Sequence, residues 1–266
     1  MGLLKDLGNL LFGWLIPDVP RAETGIDVSQ ASTDAYIPVN YGRGYGTGTI
    51  IFQATNDADN DDIKNDLLHQ VIVWGEGACG GVTLNYVDDD LSSSTRFNAP
   101  NGKKFFYASN FYNGLGTYAD PLLVAAGWRT NDTCEGKMCT YTRSEMGGDD
   151  VWSGAPSHKA EWSGRLISSP SGGAATASEN PIDQLYDYLK NSIYGKGLST
   201  DRLDVNAFQA QRSIPATLVE TYPGSGVNRK LFTSNVSLDT VTSVLDNVNT
   251  LCRAMRCLLT ISNGKL

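Results

Sequence analysis

Histidine is nearly missing from this chain: His69 and His158 are the only two. That leaves little from which to build a histidine-rich metal centre or a Ser-His-Asp triad. Charge is scarce as well. Asp, Glu, Lys and Arg together make up 19% of the 266 residues, and 21 basic against 29 acidic side chains leave a net charge of −8. Gripping nucleic acid takes clustered cations, so this balance argues against a nucleic-acid binder. It suits a surface past which nucleic acid slides without sticking. The apolar N-terminal stretch, MGLLKDLGNLLFGWLIPDVP at 1–20, falls short of the roughly 20 apolar residues that span a bilayer as a helix. Lys5 and Asp6 interrupt it and no clear small-residue cleavage site follows, which argues against a signal peptide. The five cysteines are an odd count, against a fully paired disulfide scaffold.

What is present points to a turn-rich, β-containing protein. Glycine is abundant at 28 residues, and a hydrophobic content of 41% supplies one large or two modest cores. Near the start, Leu3, Leu7, Leu10, Leu11 and Trp14 share one helical stripe that Pro17 and Pro20 stop. This predicts an amphipathic helix, docked on a neighbour or packed on its own domain. YIPVNY (36–41) reads as a strand, Gly42, Gly44, Gly46 and Gly48 as a turn, and TIIFQ (49–53) as the returning strand. The glycine spacing fails the dinucleotide pattern and a strand follows it, so a wide hairpin or a close backbone approach is expected. NDADNDDIKND (56–66) puts carboxylates at calcium-loop positions 1, 3 and 5, counted from Asp57. Asp62 stands where the loop needs glycine and Leu68 where it needs a bidentate Glu, so a solvated loop is the better reading.

Further on, LLHQVIVW (67–74) and VTLNYVDDDL (82–91) read as two strands joined by a glycine-rich turn. His69 is expected to satisfy a local hydrogen bond. Asp88, Asp89 and Asp90 read either as a carboxylate cluster or, better, as a polar turn. The aromatics of 105–128 can form a sugar platform, but more often such rings fill a core. Cys134 and Cys139 bracket the turn EGKM, where a hairpin disulfide forms if the strands close well. Strands are expected around Thr140–Thr142 and over Lys159–Ile167, with a long loop at 147–156. Ser168–Ser178 (SSPSGGAATAS) is the clearest linker.

Beyond it the helical signal is strong. Asn180 suits an N-cap, Pro181 the first helical position, and Ile182, Leu185, Tyr186, Leu189 and Ile193 one apolar stripe. The loop that follows, IYGKGLST, carries a Gly-Lys pair but not a phosphate cradle. Lys190 stands where the P-loop pattern needs its first glycine, Gly197 where it needs Ser or Thr, and the loop follows a helix instead of a strand. Gly195 is therefore expected as a left-handed helix cap, and Asp204 as the cap of a short helix carrying Val205 and Phe208. RKLFTSNV (229–236) reads as a strand. Asp239 is expected to cap a helix with Val241, Val244, Leu245, Val248, Leu251, Cys252 and Met255 on its apolar face. Cys252 and Cys257, about 140° apart on a helix, cannot share a metal there and read as buried apolar cysteines. LLTIS (258–262) reads as a strand and Asn263-Gly264 as a hairpin turn. The second strand is missing, so it comes from another chain or the chain is the front part of a longer protein.

Taken in order, these segments resemble the hub protein at the tip of long-tailed bacteriophage tails, the lambda-type tip attachment protein and its relatives. The resemblance lies in LIPDVP at 15–20, IPVNYGRGYGTGTIIF at 37–52, LLHQVIVWGEG at 67–77 with NYVDDD at 85–90, and VWSGAP at 151–156 with SGRLISSP at 163–170. It is closest over NPIDQLYDYLKNSIYGKGLSTDRLDVNAFQA at 180–210 and ends with LDTVTSVLDNVNTLCRAMRCLLTISNGKL at 238–266. It implies an α+β protein: an N-terminal amphipathic segment (1–20), a β-barrel-rich hub region (21–168), a linker (169–179), and a smaller α/β region with helices packed on a sheet (180–266), reading as incomplete at its C-terminal end. It implies a trimeric structural virion protein at the tail tip, made in the host cytoplasm, whose ring continues the tail tube and closes it until DNA ejection. Expected partners are further copies of the chain, the distal tail protein ring, the tape measure protein and other hub, tip or fibre proteins, one of which can supply the missing strand. Phage DNA passes through without specific binding. No catalytic, cofactor-binding or metal-ligating residue is assigned. Two alternatives stand beside this reading. One is a cell-wall glycosidase drawing on Glu76, Asp88, Asp89 or Glu135; the other is a carbohydrate or receptor binder using the 105–128 aromatics.

Overall fold

The computed structural model describes residues 30–31, 36–57, 65–99, 102–108, 111–116, 118, 120–145, 151–152 and 154–266. The expected N-terminal helix, the LIPDVP segment, residues 58–64 of the acidic loop and residues 147–150 of the glycine loop lie outside them. Among the described residues the chain is α+β, with mainly antiparallel sheets, one of them curled into a half-barrel, and a few helices.

The strands are β1 (Gln30–Ala31), β2 (Val39–Tyr41), β3 (Arg43–Thr47), β4 (Thr49–Asn56), β5 (Leu67–Glu76), β6 (Cys79–Val87), β7 (Asp90–Leu91), β8 (Phe106–Ala108), β9 (Lys137–Glu145), β10 (His158–Ile167), β11 (Thr176–Ala177), β12 (Leu218–Glu220), β13 (Asn228–Lys230) and β14 (Val236–Leu238). The helices are α1 (Pro121–Ala125), α2 (Pro181–Lys190), α3 (Val205–Gln211), α4 (Ser213–Ala216) and α5 (Val244–Ala254). One sheet runs β1-β4-β5-β9-β8. A second runs β11-β10-β6-β7, with β3 also paired to β10.

The chain passes back and forth between these sheets. β3 belongs to the second sheet and β4 to the first; β5 lies in the first and β6 in the second. Ile50, Ile72, Trp74, Cys79, Met138, Ala160 and Trp162 form one cluster. Val71, Val73, Tyr112, Tyr118, Leu123, Trp128, Cys139 and Tyr141 form another. Because side chains alternate along a strand, Val71 and Val73 of β5 enter one cluster while Ile72 and Trp74 enter the other. That double burial is why the LLHQVIVW run is almost continuously apolar instead of alternating.

The glycine-rich stretch 42–48 departs from the expected hairpin turn. It is strand β3, paired with β10 from Thr47↔Lys159 to Arg43↔Ser163. β2 and β4 do not pair with each other: β2 pairs with β14, and β4 with β5 and β1. The close-approach half of the expectation holds. A Cβ on Gly44 would run into the Trp162 indole, and one on Gly48 into Ile72 and Trp74. These glycines therefore let aromatic side chains approach the backbone closely. Their strand partners sit more than a hundred residues downstream or on another sheet, which local periodicity cannot report.

The helical part forms its own cluster: Ile182, Leu185, Tyr186, Tyr188 and Leu189 of α2, Phe208, and Val248, Leu251 and Cys252 of α5. Val39 and Tyr41 of β2 and Ile167 of β10 complete that core, and β14 pairs with β2. The two halves of the sequence thus share both a core and a sheet. The linker stretch contributes β11, which extends β10 through Leu166↔Ala177.

Several C-terminal expectations are corrected. α2 stops at Lys190, so Ile193 leaves the stripe and is 82% exposed. The left-handed residue after the helix is Gly197, at φ 68°; Gly195 is instead required because a Cβ there would strike the Tyr188 carbonyl. Residues 229–236 are not one strand but the end of β13 and the start of β14. α5 begins at Val244 and is capped by Ser243, whose Oγ accepts from Asp246 N at 3.1 Å. Asp239 closes only a turn, accepting from Val241 N. Residues 258–261 form no strand. The Asn263-Gly264 turn does form, both residues at positive φ, but it closes on a single bridge, Ser262↔Lys265. The last residue ties back to the body: Leu266 N donates to Arg202 O, and Asp204 N donates to Leu266 O. Asn180 and Asp204 cap α2 and α3 as expected, accepting from Ile182 N and Ala207 N.

Candidate functional site

The four carboxylates of the glycosidase alternative are spread over the β-rich part. Glu76 ends β5 and is held by Lys137 Nζ at 2.8 Å; Glu135 is exposed in the turn before β9. Asp88 and Asp89 form the two-residue turn between β6 and β7, both at positive φ. That is the geometry of a tight hairpin, for which Asp is a natural former. β6 runs from Cys79 to Val87 between the two pairs, so they stand about 25 Å apart at about 3.3 Å per residue. Asp88 Oδ1 accepts from Ser157 N and Oγ, Asp89 pairs with Lys159 at 2.6 Å, and Asp90 pairs with Arg96 at 2.6 Å. Each of the three turn carboxylates is thus tied to a neighbouring strand or loop.

The 105–128 aromatics are largely interior. Phe106, Tyr112, Tyr118 and Trp128 are all buried; Tyr107 is the exposed one, with Arg143 over its ring. Phe52 meets Trp128 edge to face, and Tyr112 packs on Tyr118. His69 is buried between Tyr141 OH (2.6 Å) and Asn56 Oδ1 (2.9 Å). His158 is buried, with Nε2 donating to Gln70 Oε1 at 3.0 Å, and burial pushes its imidazole down to about 4. Among the described residues no cluster of three or more His, Cys, Asp or Glu is placed to hold a metal. No described helix is long and apolar enough to cross a membrane.

All five cysteines are free thiols. Cys134 and Cys139 lie against each other across the EGKM turn, Cys139 holding Cys134 below the usual thiol range by hydrogen bonding to it. Cys252 and Cys257 also meet, against the expectation that a helix would keep them apart. α5 ends at Ala254, Arg256 takes a left-handed conformation (φ 53°), and the chain folds back so that Cys257 N donates to Cys252 O at 3.0 Å.

The most tightly built polar cluster centres on Asp187, where α2 meets the strands. Asp187 Oδ2 accepts from Tyr41 OH and Tyr194 OH, both at 2.6 Å, and the Arg165 guanidinium lies 3.5 Å away over the Tyr194 ring. Burial and the carboxylate together push the Tyr41 and Tyr194 hydroxyls well up, so both stay protonated donors. Nearby, Asp183 takes a two-point contact from Arg212, and Gln184 Nε2 donates to the carbonyls of Ser178 and Ser234. A cavity of about 500 Å³ opens beside Asp187, walled by Ile167, Pro170, Tyr186 and Lys190. In this arrangement both hydroxyl protons point at the same carboxylate oxygen. It is a fastening between β2, β10 and α2. Tyr194 is a near neighbour in sequence, but Tyr41 lies 146 residues away, beyond the reach of any local pattern.

The described surface has a second feature. Of the seventeen large hydrophobic residues that stand exposed, ten fall after residue 190: Ile193, Ile214, Leu218, Tyr222, Val227, Leu231, Val241, Leu245, Leu258 and Ile261. Leu258 is 90% exposed and Ile261 75%. β12 and β13 form an exposed two-stranded hairpin bearing Leu218 and, at its end, Tyr222 and Val227. Such a hairpin is marginally stable by itself, and clustered exposed apolar side chains mark contact surfaces.

No protein-family model matches the chain, and no curated protein matches it. Among solved structures it is similar to a chain of the virion of a native gene transfer agent particle, at a TM-score of 0.43 and 12% identity. The likeness covers 86% of this chain and 50% of that one, so the chain spans about half the length of its solved neighbour.

Proposed function

We propose that this chain is a structural protein of a phage-like virion, acting as the central hub at the distal end of a tail. In this reading three copies form a ring that continues the tail tube, closes it before ejection and anchors the tip. The chain carries out no bond-making chemistry. Its partners are further copies of itself, the distal tail ring, the tape measure protein, and other hub or fibre proteins, while DNA passes without being gripped.

The observation that carries the reading is the exposed apolar surface of residues 190–266, which stands on a part that has a buried core of its own. A side chain such as Leu258 costs about 2 kcal/mol to leave in water relative to burial, so ten of them in one region favour a protein built to be covered by others. The choice of assembly is supported by the ordered resemblance to tail hubs. Its segments fall on β2–β4, β5, the β6–β7 turn, the end of β10, α2–α3 and α5 with the Asn263-Gly264 turn. The net charge of −8 supports an unobstructed passage for a polyanion. Averaged imaging of the native particle tests the proposal. Density for this chain at the tail end supports it; density confined to the head or to a side fibre rejects it.

A further inference from the structure

We propose that Cys252 and Cys257 form an intramolecular disulfide that fixes the C-terminal segment against α5, with Cys257 as the attacking thiol. The inference stands apart from the virion reading and holds whatever the chain assembles into.

The geometry supplies the pairing. α5 gives out after Ala254, and Met255 takes the cap position. The left-handed turn at Arg256 then reverses the chain, and the Cys257 N–H closes on the Cys252 carbonyl at 3.0 Å. This return packs Cys257 against the core cluster that holds Cys252. A disulfide needs its two residues on closely approaching backbone, and this turn provides that. The two thiols differ in access and acidity. Cys252 is buried in the helical core, and burial together with the contact to Cys257 pushes its thiol up. Cys257 is half-buried and lines a groove of about 280 Å³ with Ile182, Leu185, Phe208, Leu259 and Leu266. The hydrogen bond from Cys252 lowers it to about 7, so much of it is thiolate near neutral pH. An accessible thiolate beside a protected partner thiol is the arrangement that attacks and is then resolved. Cys79, buried and pushed up to about 12, donates instead to the Asn113 carbonyl and serves as an internal reference.

The oxidant is a low-molecular-weight disulfide such as oxidised glutathione. The Cys257 thiolate attacks one of its sulfurs, forming a mixed disulfide and releasing one glutathione thiolate. Cys252 then gives up its proton and attacks the Cys257 sulfur, releasing the second glutathione. Two protein thiols are oxidised, one glutathione disulfide is reduced to two thiols, and the protein ends two hydrogens lighter. The bond ties residues 257–266 to α5, and with them one wall of the groove.

The test uses the whole chain. Folded protein is treated with oxidised glutathione near pH 7, quenched in acid, alkylated and cut with trypsin. Trypsin cuts after Arg253 and Arg256, so the two cysteines fall on different peptides and only a disulfide keeps them together. The expected result is the joined pair in the wild type, with Cys79 alkylated as a free thiol after denaturation. In Cys252→Ser, Cys257 should stop at a stable glutathione adduct. A stable adduct on Cys257 in the wild type, or both cysteines alkylated as free thiols after treatment, would overturn the proposal. The wild-type result decides alone if the variant does not fold.

Discussion

Gly44 and Gly46 lie two residues apart on β3, both facing β10 partners and neither at positive φ, yet their surroundings differ. A Cβ on Gly44 meets the Trp162 indole; a Cβ on Gly46 meets nothing. Gly44→Ala should therefore destabilise the protein by about 1–3 kcal/mol, the usual cost of forcing atoms into a packed site. Gly46→Ala should stay within about 0.5 kcal/mol of wild type. Urea unfolding of the two variants checks this, and equal losses would mean that Trp162 does not lie on the strand. His158 gives a second test at this scale. Its ring is neutral in the fold down to about pH 4, whereas in the unfolded chain it takes a proton near 6.5. Between those values the unfolded state binds more protons, so stability is fully present above about pH 6.5 and is lost as pH falls towards 4. The loss is on the order of 3 kcal/mol at about 1.36 kcal/mol per unit. His158→Gln should shrink the stability difference between pH 7 and pH 4.5, and an unchanged difference would contradict a buried neutral ring.

At the scale of the element, α5 separates two capping accounts. Ser243 accepts from Asp246 N and donates to Asp246 Oδ2, whereas Asp239 closes only a turn upstream. Ser243→Ala should cost about 1 kcal/mol, a typical cap loss, and Asp239→Ala clearly less, both read by denaturant unfolding. The reverse order would restore Asp239 as the cap. This helix also shows what the sequence could and could not disclose. Caps and apolar stripes are local, so α2 with Asn180 and Pro181, and α3 with Asp204, were legible. The doubly buried β5 announced itself as an apolar run. Pairing was not legible. The glycines of β3 read as a turn because their justification, Trp162, lies on β10, and β2 looked like half of a hairpin because its partner β14 is almost two hundred residues away. The Asp187 fastening was hidden for the same reason. In the sequence it is one carboxylate on a helix; only folding brings Tyr41, Arg165 and Tyr194 to it. Cys257 shows the opposite error, a local rule carried too far, since the helix that would have held it away from Cys252 ends three residues earlier.

At the scale of the whole molecule, the strand pairing of β2 with β14 and the Asp187 cluster bind the β-rich part to the helical part. The apolar surface of 190–266 is thereby carried on a firm base. Glu76, Asp88, Asp89 and Asp90 are held in ion pairs and turn contacts, and the aromatics of the β-rich part mostly fill the core. The surface of residues 190–266 carries exposed leucine, isoleucine, valine and tyrosine side chains. A hub built of repeated copies would use them at every subunit boundary, and an acidic chain would let DNA pass. The most direct test is a symmetry-averaged reconstruction of the native particle's tail end, with this chain traced in the density. The account predicts copies arranged around one central passage on the tail axis, with Leu258 and Ile261 covered by neighbouring chains. Copies lying off the axis, or on the axis with those side chains facing solvent, would contradict it.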